Sequence, residues 1–370
     1  MNDRQDKPAV GPLLLGKSFV HPLFDYLLIG GGLSLLVAAL VYWPAATASS
    51  GDAGNLTFDE RFAWIPVLIL LSNSAHFASS TVRLYSKPET FHTMPFLTMG
   101  FPLVCLLVTS LCIFYPGNLG AQLNSLYLTW SPYHYAAQAY GLAVMYSYRS
   151  GCVLSLANKR LLRWTSLLPF FFMCVGGEGV GLYWLLPDSW MANPRVDLLV
   201  MYLKKWVFPA LIFGLPTILF AKVWVNERRP LPLISLLVLI TNGLWFVTFN
   251  YLQAFTLATI FHGVQYLAIV LIFHVRDRKQ RPENRHGTFY HVAWFYGLSL
   301  MLGYGLFHCL PWAYRLAGFG VVESMLLVAA AINLHHFIVD GYIWRLGKQD
   351  SNRTIVDSDQ TPGSATSHPG

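Results

Sequence analysis

Charged residues are scarce in this chain of 370 residues, of which only 12% are Asp, Glu, Lys or Arg. Soluble domains carry roughly 25% charged residues. Hydrophobic residues make up 55% of the chain, and its mean hydropathy is +0.46. This deficit of charge excludes an ordinary soluble domain and predicts a polytopic integral membrane protein.

Several sequence motifs of common chemistries are also missing. None of the five cysteines belongs to a C-x-x-C pair and their number is odd, which argues against a disulfide framework or a cysteine zinc site. The chain has no Walker A motif, no dinucleotide G-x-G-x-x-G after a strand, no G-x-S-x-G and no H-E-x-x-H. P-loop, Rossmann, α/β-hydrolase and zincin mechanisms are therefore excluded.

What the chain does contain is a series of long apolar runs. Ten of them are long enough to span a bilayer as a helix. They cover residues 24–43, 64–81, 96–115, 123–146, 165–186, 206–225, 231–248, 252–273, 290–309 and 318–343. The predicted fold is an all-α bundle of about ten transmembrane helices over residues 24–345, with no internal repeat. Residues 1–23 are predicted to form an N-terminal segment, and the polar residues 346–370 a disordered tail.

The distribution of basic residues predicts the orientation of the bundle. Most of the 25 lysines and arginines lie in the segments that share a side with the N-terminus. The positive-inside rule therefore predicts a multi-pass protein of a cytoplasmic-type membrane with both termini cytoplasmic. The formal net charge of +7 follows from these short loops and does not indicate a nucleic-acid partner.

Four of the predicted spans carry a histidine together with other polar residues, and all four run in the same direction. Ionisable groups at membrane depth are costly and usually face the interior of a bundle, where they mark function. The spans are the second, fourth, eighth and tenth. Their polar residues are Asn73 and His76; Tyr133, His134, Tyr135 and Gln138; His262, Gln265 and Tyr266; and Asn333, His335, His336 and Asp340.

This set of residue types predicts a shared metal site. Neutral imidazole is the commonest protein metal ligand, and a carboxylate beside imidazole indicates non-haem iron. The predicted ligands are His76, His134, His262, His335 and His336. Asp340, Tyr133 and Tyr266 are predicted to be catalytic, and Gln138, Gln265 and Asn333 to orient the ligands or cofactor. Iron is favoured and copper is the alternative, while haem is the less favoured cofactor.

The arrangement resembles the polytopic membrane metalloenzymes with histidine ligands, such as lipid desaturases and hydroxylases. It departs from their histidine boxes, which lie in cytoplasmic segments, whereas His335 and His336 lie within a span. In its use of histidines within helices it is similar to the bacterial membrane carotenoid-cleaving oxygenases. The resemblance covers ligand type and topology, and it implies oxidation of an apolar substrate.

The sequence therefore predicts a metal-dependent membrane oxidoreductase of the oxygenase, hydroxylase or desaturase type. Its expected partners are the lipid bilayer, a lipid or other apolar small molecule, and an electron donor. A transporter or proton path that uses the histidines and Glu178 is the first alternative. A haem-binding electron carrier is the second. Histidines that act only as interhelix hydrogen bonds would instead lie dispersed through the bundle. Asp25 and Glu323 lie near span ends and are expected at the membrane interface.

Overall fold

The computed structural model describes residues 14–47, 65–175, 180–226, 230–247 and 251–344, and within them the chain is helical with no strand. Eleven helices organise the described residues. They are α1 (Pro22–Ile29), α2 (Gly32–Thr47), α3 (Ile65–Tyr85), α4 (Phe96–Phe114), α5 (Ala121–Arg149), α6 (Leu156–Cys174), α7 (Pro194–Val225), α8 (Leu233–Val247), α9 (Tyr251–Lys279), α10 (Thr288–Leu316) and α11 (Val321–Ile343). Short helices Glu89–Thr93, Leu182–Leu185 and Asp188–Met191 lie in the connections.

Six of these helices are long and apolar enough to cross a membrane: α3, α4, α7, the part of α9 from Phe255 to Lys279, α10 and α11. The bent pair α1 and α2 raises the number to seven within the described residues. The all-helical, membrane-like fold predicted from composition is confirmed. The count of about ten spans and the cytoplasmic termini stay predictions, as do the domain limits; residues 1–13 and 345–370 lie outside the described residues.

The first predicted span, 24–43, is broken rather than continuous. Helices α1 and α2 meet at 63°, and Gly31 at the break has φ +85°, a conformation that favours glycine. A Cβ at Gly31 would lie only 2.5 Å from Thr241 Cγ2. The carbonyl of Ile29 accepts a hydrogen bond from Gln265 Nε2 at 3.0 Å. A helix break leaves carbonyls without intrahelical partners. At this break, Gln265 of α9 provides the hydrogen-bond donor for the Ile29 carbonyl.

The fifth predicted span, 165–186, is displaced along the chain. Helix α6 begins at Leu156, where Ser155 Oγ accepts a hydrogen bond from Asn158 N at 3.2 Å, and it ends at Cys174. An N-cap serine of this kind satisfies a free amide at the helix start, so the helix begins nine residues earlier than the apolar run. Glu178, the relay residue of the transport alternative, lies outside the described residues.

Helix α3 packs against α9, α10 and α11. Small residues allow this close packing. A Cβ at Gly263 of α9 would lie 3.1 Å from the Ser72 backbone, and a Cβ at Gly303 of α10 would lie 2.6 Å from the Ser74 oxygen. Helix α11 also contacts α4 and α5. Glycine and serine at such crossings let membrane helices approach closely, and here they bring α9 to the turn that precedes His76.

Asp25 is fully buried, and its expected place at the membrane interface stays a prediction. Its carboxylate accepts hydrogen bonds from the amides of Phe19 (2.5 Å) and Val20 (3.2 Å) and from the Tyr146 hydroxyl (2.7 Å). The segment before α1 folds back over the end of the bundle, and the aspartate fixes it there. A buried carboxylate needs such donors, because an unpaired one would be very costly.

Candidate metal centre

Four histidines from four different helices meet in the core of the bundle. They are His76 of α3, His134 of α5, His262 of α9 and His336 of α11. The ring centroids of His76 and His336 are 4.3 Å apart, and those of His76 and His262 are 4.8 Å apart. His134 lies 4.9 Å from His336 and 5.0 Å from His262 by the same measure. The rings form one group, unlike the dispersed arrangement expected of separate interhelix hydrogen bonds.

Three potential ligand atoms converge at one end of this group. His336 Nε2 lies 3.2 Å from His134 Nε2 and 3.3 Å from Asp340 Oδ2, and His134 Nε2 lies 3.9 Å from the same oxygen. With a ring nitrogen of His76 included, the ligand atoms of these four residues all lie within 4.8 Å of one another. Ligands about 2.0–2.1 Å from one ion are separated by roughly 3–4 Å. Hereafter His76, His134, His336 and Asp340 are called the His/Asp cluster.

The tautomer of His336 follows from its neighbour Ser80. Ser80 Oγ donates a hydrogen bond to the Phe77 carbonyl at 3.0 Å and lies 2.9 Å from His336 Nδ1. A hydroxyl has a single hydrogen, so in this arrangement Oγ accepts from the His336 Nδ1–H. Nε2 of His336 then carries a lone pair and points at another nitrogen and at a carboxylate oxygen. That lone pair either accepts a hydrogen bond from His134 Nε2–H or, when the hydrogen of His134 lies on Nδ1, faces a second lone pair. The second arrangement suits a positive ion held between the two nitrogens and the carboxylate.

The carboxylate of Asp340 is held by a directed chain of hydrogen bonds. The indole Nε1 of Trp344 is a donor only, and it donates to the Tyr266 hydroxyl at 3.0 Å. The Tyr266 hydroxyl therefore directs its own hydrogen to Asp340 Oδ1, at 2.6 Å. This leaves Oδ2 facing His134 and His336. The guanidinium of Arg83 lies 4.8 Å from the Trp344 ring centroid and packs the indole in this position.

Several buried nitrogen atoms of the site have no hydrogen-bond partner among the described residues. The atoms without a partner are both ring nitrogens of the fully buried His76 and Nε2 of His262. An unsatisfied buried polar atom costs about 1–3 kcal/mol. An ion bound by the cluster would satisfy one ring nitrogen of His76, and the donor set of imidazoles and one carboxylate fits a transition metal. The residues present therefore fit the predicted metal.

The surroundings of the cluster are aromatic and exclude water. Phe337 stacks on His134 with ring centroids 4.4 Å apart, and Phe77 lies 4.8 Å from His336. Tyr135 packs 4.3 Å from His262. Electrostatic interactions gain strength in such a dry site, because the local dielectric constant is low.

Not every predicted site residue enters the cluster. His335 stacks on Phe101 of α4, at 5.1 Å between ring centroids and 12° between planes. Consecutive residues of a helix project in different directions, so His335 and His336 serve different neighbours. Tyr133 packs against Phe170 of α6. The structure thus directs the predicted ligand His335 and the predicted catalytic Tyr133 to other helices.

The three predicted orienting residues also bond elsewhere. Asn333 Nδ2 donates to the Ala329 carbonyl of its own helix at 2.7 Å. Gln138 Nε2 donates to the backbone carbonyl of His262 at 3.4 Å, and Gln265 supports the break between α1 and α2. Gln138 thus hydrogen-bonds a residue of the histidine group, and it does so through the backbone. Their predicted roles at a cofactor stay predictions.

Two residues that hold the cluster were missed by the sequence reasoning, namely Ser80 and Trp344. Each follows a cluster residue by four positions, Ser80 after His76 and Trp344 after Asp340. That spacing places a side chain one turn further along the same helix face. Neither serine nor tryptophan is ionisable, so the criterion of ionisable residues within apolar spans does not select Ser80 or Trp344.

Comparison of the chain with protein-family models, with curated proteins and with solved structures finds no match in any of the three. The class of protein is therefore defined by fold and site alone. The chain is a helical, membrane-like protein with a buried cluster of three histidines and one aspartate that could hold a metal ion.

Proposed function

We propose that this protein is an integral-membrane metalloenzyme that holds one transition-metal ion with His76, His134, His336 and Asp340. The observation that carries the proposal is the convergence of their ligand atoms within 4.8 Å in a buried site. His262 lies outside the group whose ligand atoms fall within 4.8 Å of one another, and we propose it as an additional ligand. Its ring packs against those of His76 and His134, and its Nε2 has no hydrogen-bond partner among the described residues. The multi-pass topology with cytoplasmic termini belongs to the same proposal.

Iron is the favoured metal and copper the alternative, because both bind imidazole and a carboxylate is the harder ligand that suits iron. Such an ion would supply one-electron chemistry and activation of oxygen, with electrons from a separate donor. The chain's own residues fix the geometry. Ser80 sets the tautomer of His336, while Tyr266 and Trp344 aim the Asp340 carboxylate. The Tyr266 hydroxyl also places a proton beside Asp340 Oδ1.

We further propose an apolar substrate that is taken from the bilayer. An apolar cavity of about 480 Å³ lies among α1, α2, α3 and α9 and has the size of a small-molecule site. It reaches α3 at Ser72, one turn before His76. His262 lies on the opposite face of α9 from the cavity residues Ile260 and Val264, so the cavity lies beside the cluster rather than over it.

The geometry favours a bare ion over haem. Two axial imidazole nitrogens on one iron would be separated by about 4 Å, twice a metal–nitrogen distance of about 2.0–2.1 Å. His134 Nε2 and His336 Nε2 are only 3.2 Å apart, and Asp340 Oδ2 approaches both.

The test is metal analysis and a visible spectrum of the protein purified in mild detergent. We expect about one equivalent of iron or copper per chain and no Soret band. His336→Gln should lose the metal, whereas His335→Gln, the neighbouring histidine outside the cluster, should retain it. Absence of metal after reconstitution with iron and copper would refute the proposal. A Soret band would favour the haem carrier, and substrate flux in proteoliposomes without chemical change would favour transport.

A further inference from the structure

A second group of histidines lies at the end of α9 and the start of α10, around a polar pocket of about 350 Å³. His274 is twelve residues beyond His262 on α9, which is about 18 Å along the helix. The pocket is therefore distinct from the His/Asp cluster. Its lining contains three arginines and three histidines, namely Arg278, Arg281, Arg285, His274, His286 and His291.

The charge of this pocket is predominantly positive. Glu283 is the one acidic residue of the lining. Arg281 forms an ion pair with Asp277 at 3.5 Å, and Arg278 donates to the Ser86 carbonyl at 3.4 Å. Arg285 is exposed and has no carboxylate partner in the described part of the chain. At least one guanidinium is thus available to a ligand that carries negative charge.

The loop that covers the pocket is held in one conformation by Asn284. Its Oδ1 accepts hydrogen bonds from His291 Nε2 at 2.8 Å and from the His286 amide at 3.2 Å. Its Nδ2 donates to the His286 carbonyl at 3.2 Å. An amide oxygen only accepts, so His291 carries its hydrogen on Nε2. A pocket held in this way loses little conformational freedom when a ligand binds.

His274 supplies an independent indication of a ligand. The residue is buried, with 4% of its surface exposed, and its ring stacks on Trp294 with planes 11° apart. Its Nε2 has no hydrogen-bond partner among the described residues. Buried polar atoms in proteins almost always have a partner. A ligand oxygen in the pocket that His274 lines would supply one.

We infer that this pocket is a binding site for a phosphate group. Arginine forks match the oxygens of phosphate, and several donors around one pocket suit its charge and geometry. Lys- and Arg-rich pockets at the ends of membrane spans bind the headgroups of anionic lipids. Tyr290 and Trp294 in the lining are aromatic residues of the kind enriched at the membrane–water interface. The phosphate would belong to an anionic phospholipid or to a soluble phosphate compound.

The experiment uses the full chain in phosphatidylcholine nanodiscs, with thermal unfolding as the readout. Dioctanoyl phosphatidic acid and inorganic phosphate are titrated separately. The variants are Arg281→Gln/Arg285→Gln and Arg285→Gln alone. The matched control is Arg315→Gln, an exposed arginine at the other end of α10 that carries the same charge.

We expect the double variant to bind phosphatidic acid on the order of tenfold more weakly than the unmodified protein, and Arg315→Gln to bind unchanged. If the double variant fails to fold, Arg285→Gln alone should still bind a few-fold more weakly. Stabilisation by inorganic phosphate that needs the same arginines supports the site and names a soluble ligand. Equal binding by Arg285→Gln, Arg315→Gln and the unmodified protein would overturn the inference. Metal content should not change in any variant, so this test is separate from that of the metal centre.

Discussion

Two groups of histidines lie in this molecule, and their companion residues distinguish them. The buried group draws His76, His134, His262 and His336 from four helices and includes the carboxylate of Asp340. The pocket group, His274, His286 and His291, comes from the end of α9, the loop that follows it and the start of α10, and it includes three arginines. A carboxylate among imidazoles favours a cation, whereas arginines among imidazoles favour an anion. The presence of histidines alone therefore does not indicate whether a site binds a cation or an anion.

The largest expected effect comes from a change inside the buried group. His336→Gln removes the nitrogen that faces both His134 and Asp340. We expect metal content to fall by on the order of tenfold or more, since the remaining ligand atoms lose their common neighbour. Metal analysis of His336→Gln beside His335→Gln measures the effect. Equal metal content in the two variants would remove the distinction between the adjacent histidines.

The second prediction concerns the carboxylate of Asp340, which distinguishes the buried group from the pocket group. Asp340→Asn keeps the shape of the side chain and removes its charge, so the metal affinity should fall about 10–100-fold. Asp197→Asn, at an exposed position of α7, is the matched control. Competition with a chelator of known affinity measures both proteins. An Asp340→Asn protein that binds metal as tightly as the control would show that the carboxylate is only a hydrogen-bond acceptor.

The hydroxyl of Tyr266, which positions the Asp340 carboxylate, is expected to contribute less to metal affinity than the carboxylate itself. Tyr266→Phe removes the hydroxyl that donates to Asp340 Oδ1 at 2.6 Å, and we expect metal affinity to fall about tenfold. Tyr296→Phe removes a hydroxyl that donates to the Leu71 carbonyl at 2.8 Å, outside the cluster. The same chelator titration compares the two variants. If both lose affinity equally, the effect is a general loss of packing and not a loss of carboxylate positioning.

The smallest effect is expected when a residue of the pocket group is changed and metal binding in the buried group is measured. Bound metal should raise the thermal stability of the protein, by about 2.7 kcal/mol at a free concentration one hundred times the dissociation constant. Arg285→Gln lies in the pocket group and should leave this increment unchanged. Unfolding curves with and without added iron measure it in both proteins. A reduced increment in Arg285→Gln would mean that the two groups are coupled.

Composition and hydrophobic pattern predicted the helical, membrane-like fold, because apolar runs of spanning length leave the backbone few alternatives in lipid. The same pattern could not predict where helices break. Gly31 interrupts the predicted span 24–43, and Gln265, distant in sequence, donates a hydrogen bond to the Ile29 carbonyl at the break. Ser155 likewise starts α6 before its apolar run begins.

For the site, the sequence by itself determined that ionisable residues within apolar spans would face the bundle interior, because the cost of exposing them to lipid applies to any fold. That argument selected His76, His134, His262, His335, His336 and Asp340. Only the tertiary structure decided that His336 joins the cluster while its neighbour His335 stacks on Phe101. It also decided that Trp344, through Tyr266, aims the carboxylate. These choices depend on the rotation of each helix about its axis, and that rotation is set by packing against neighbouring helices.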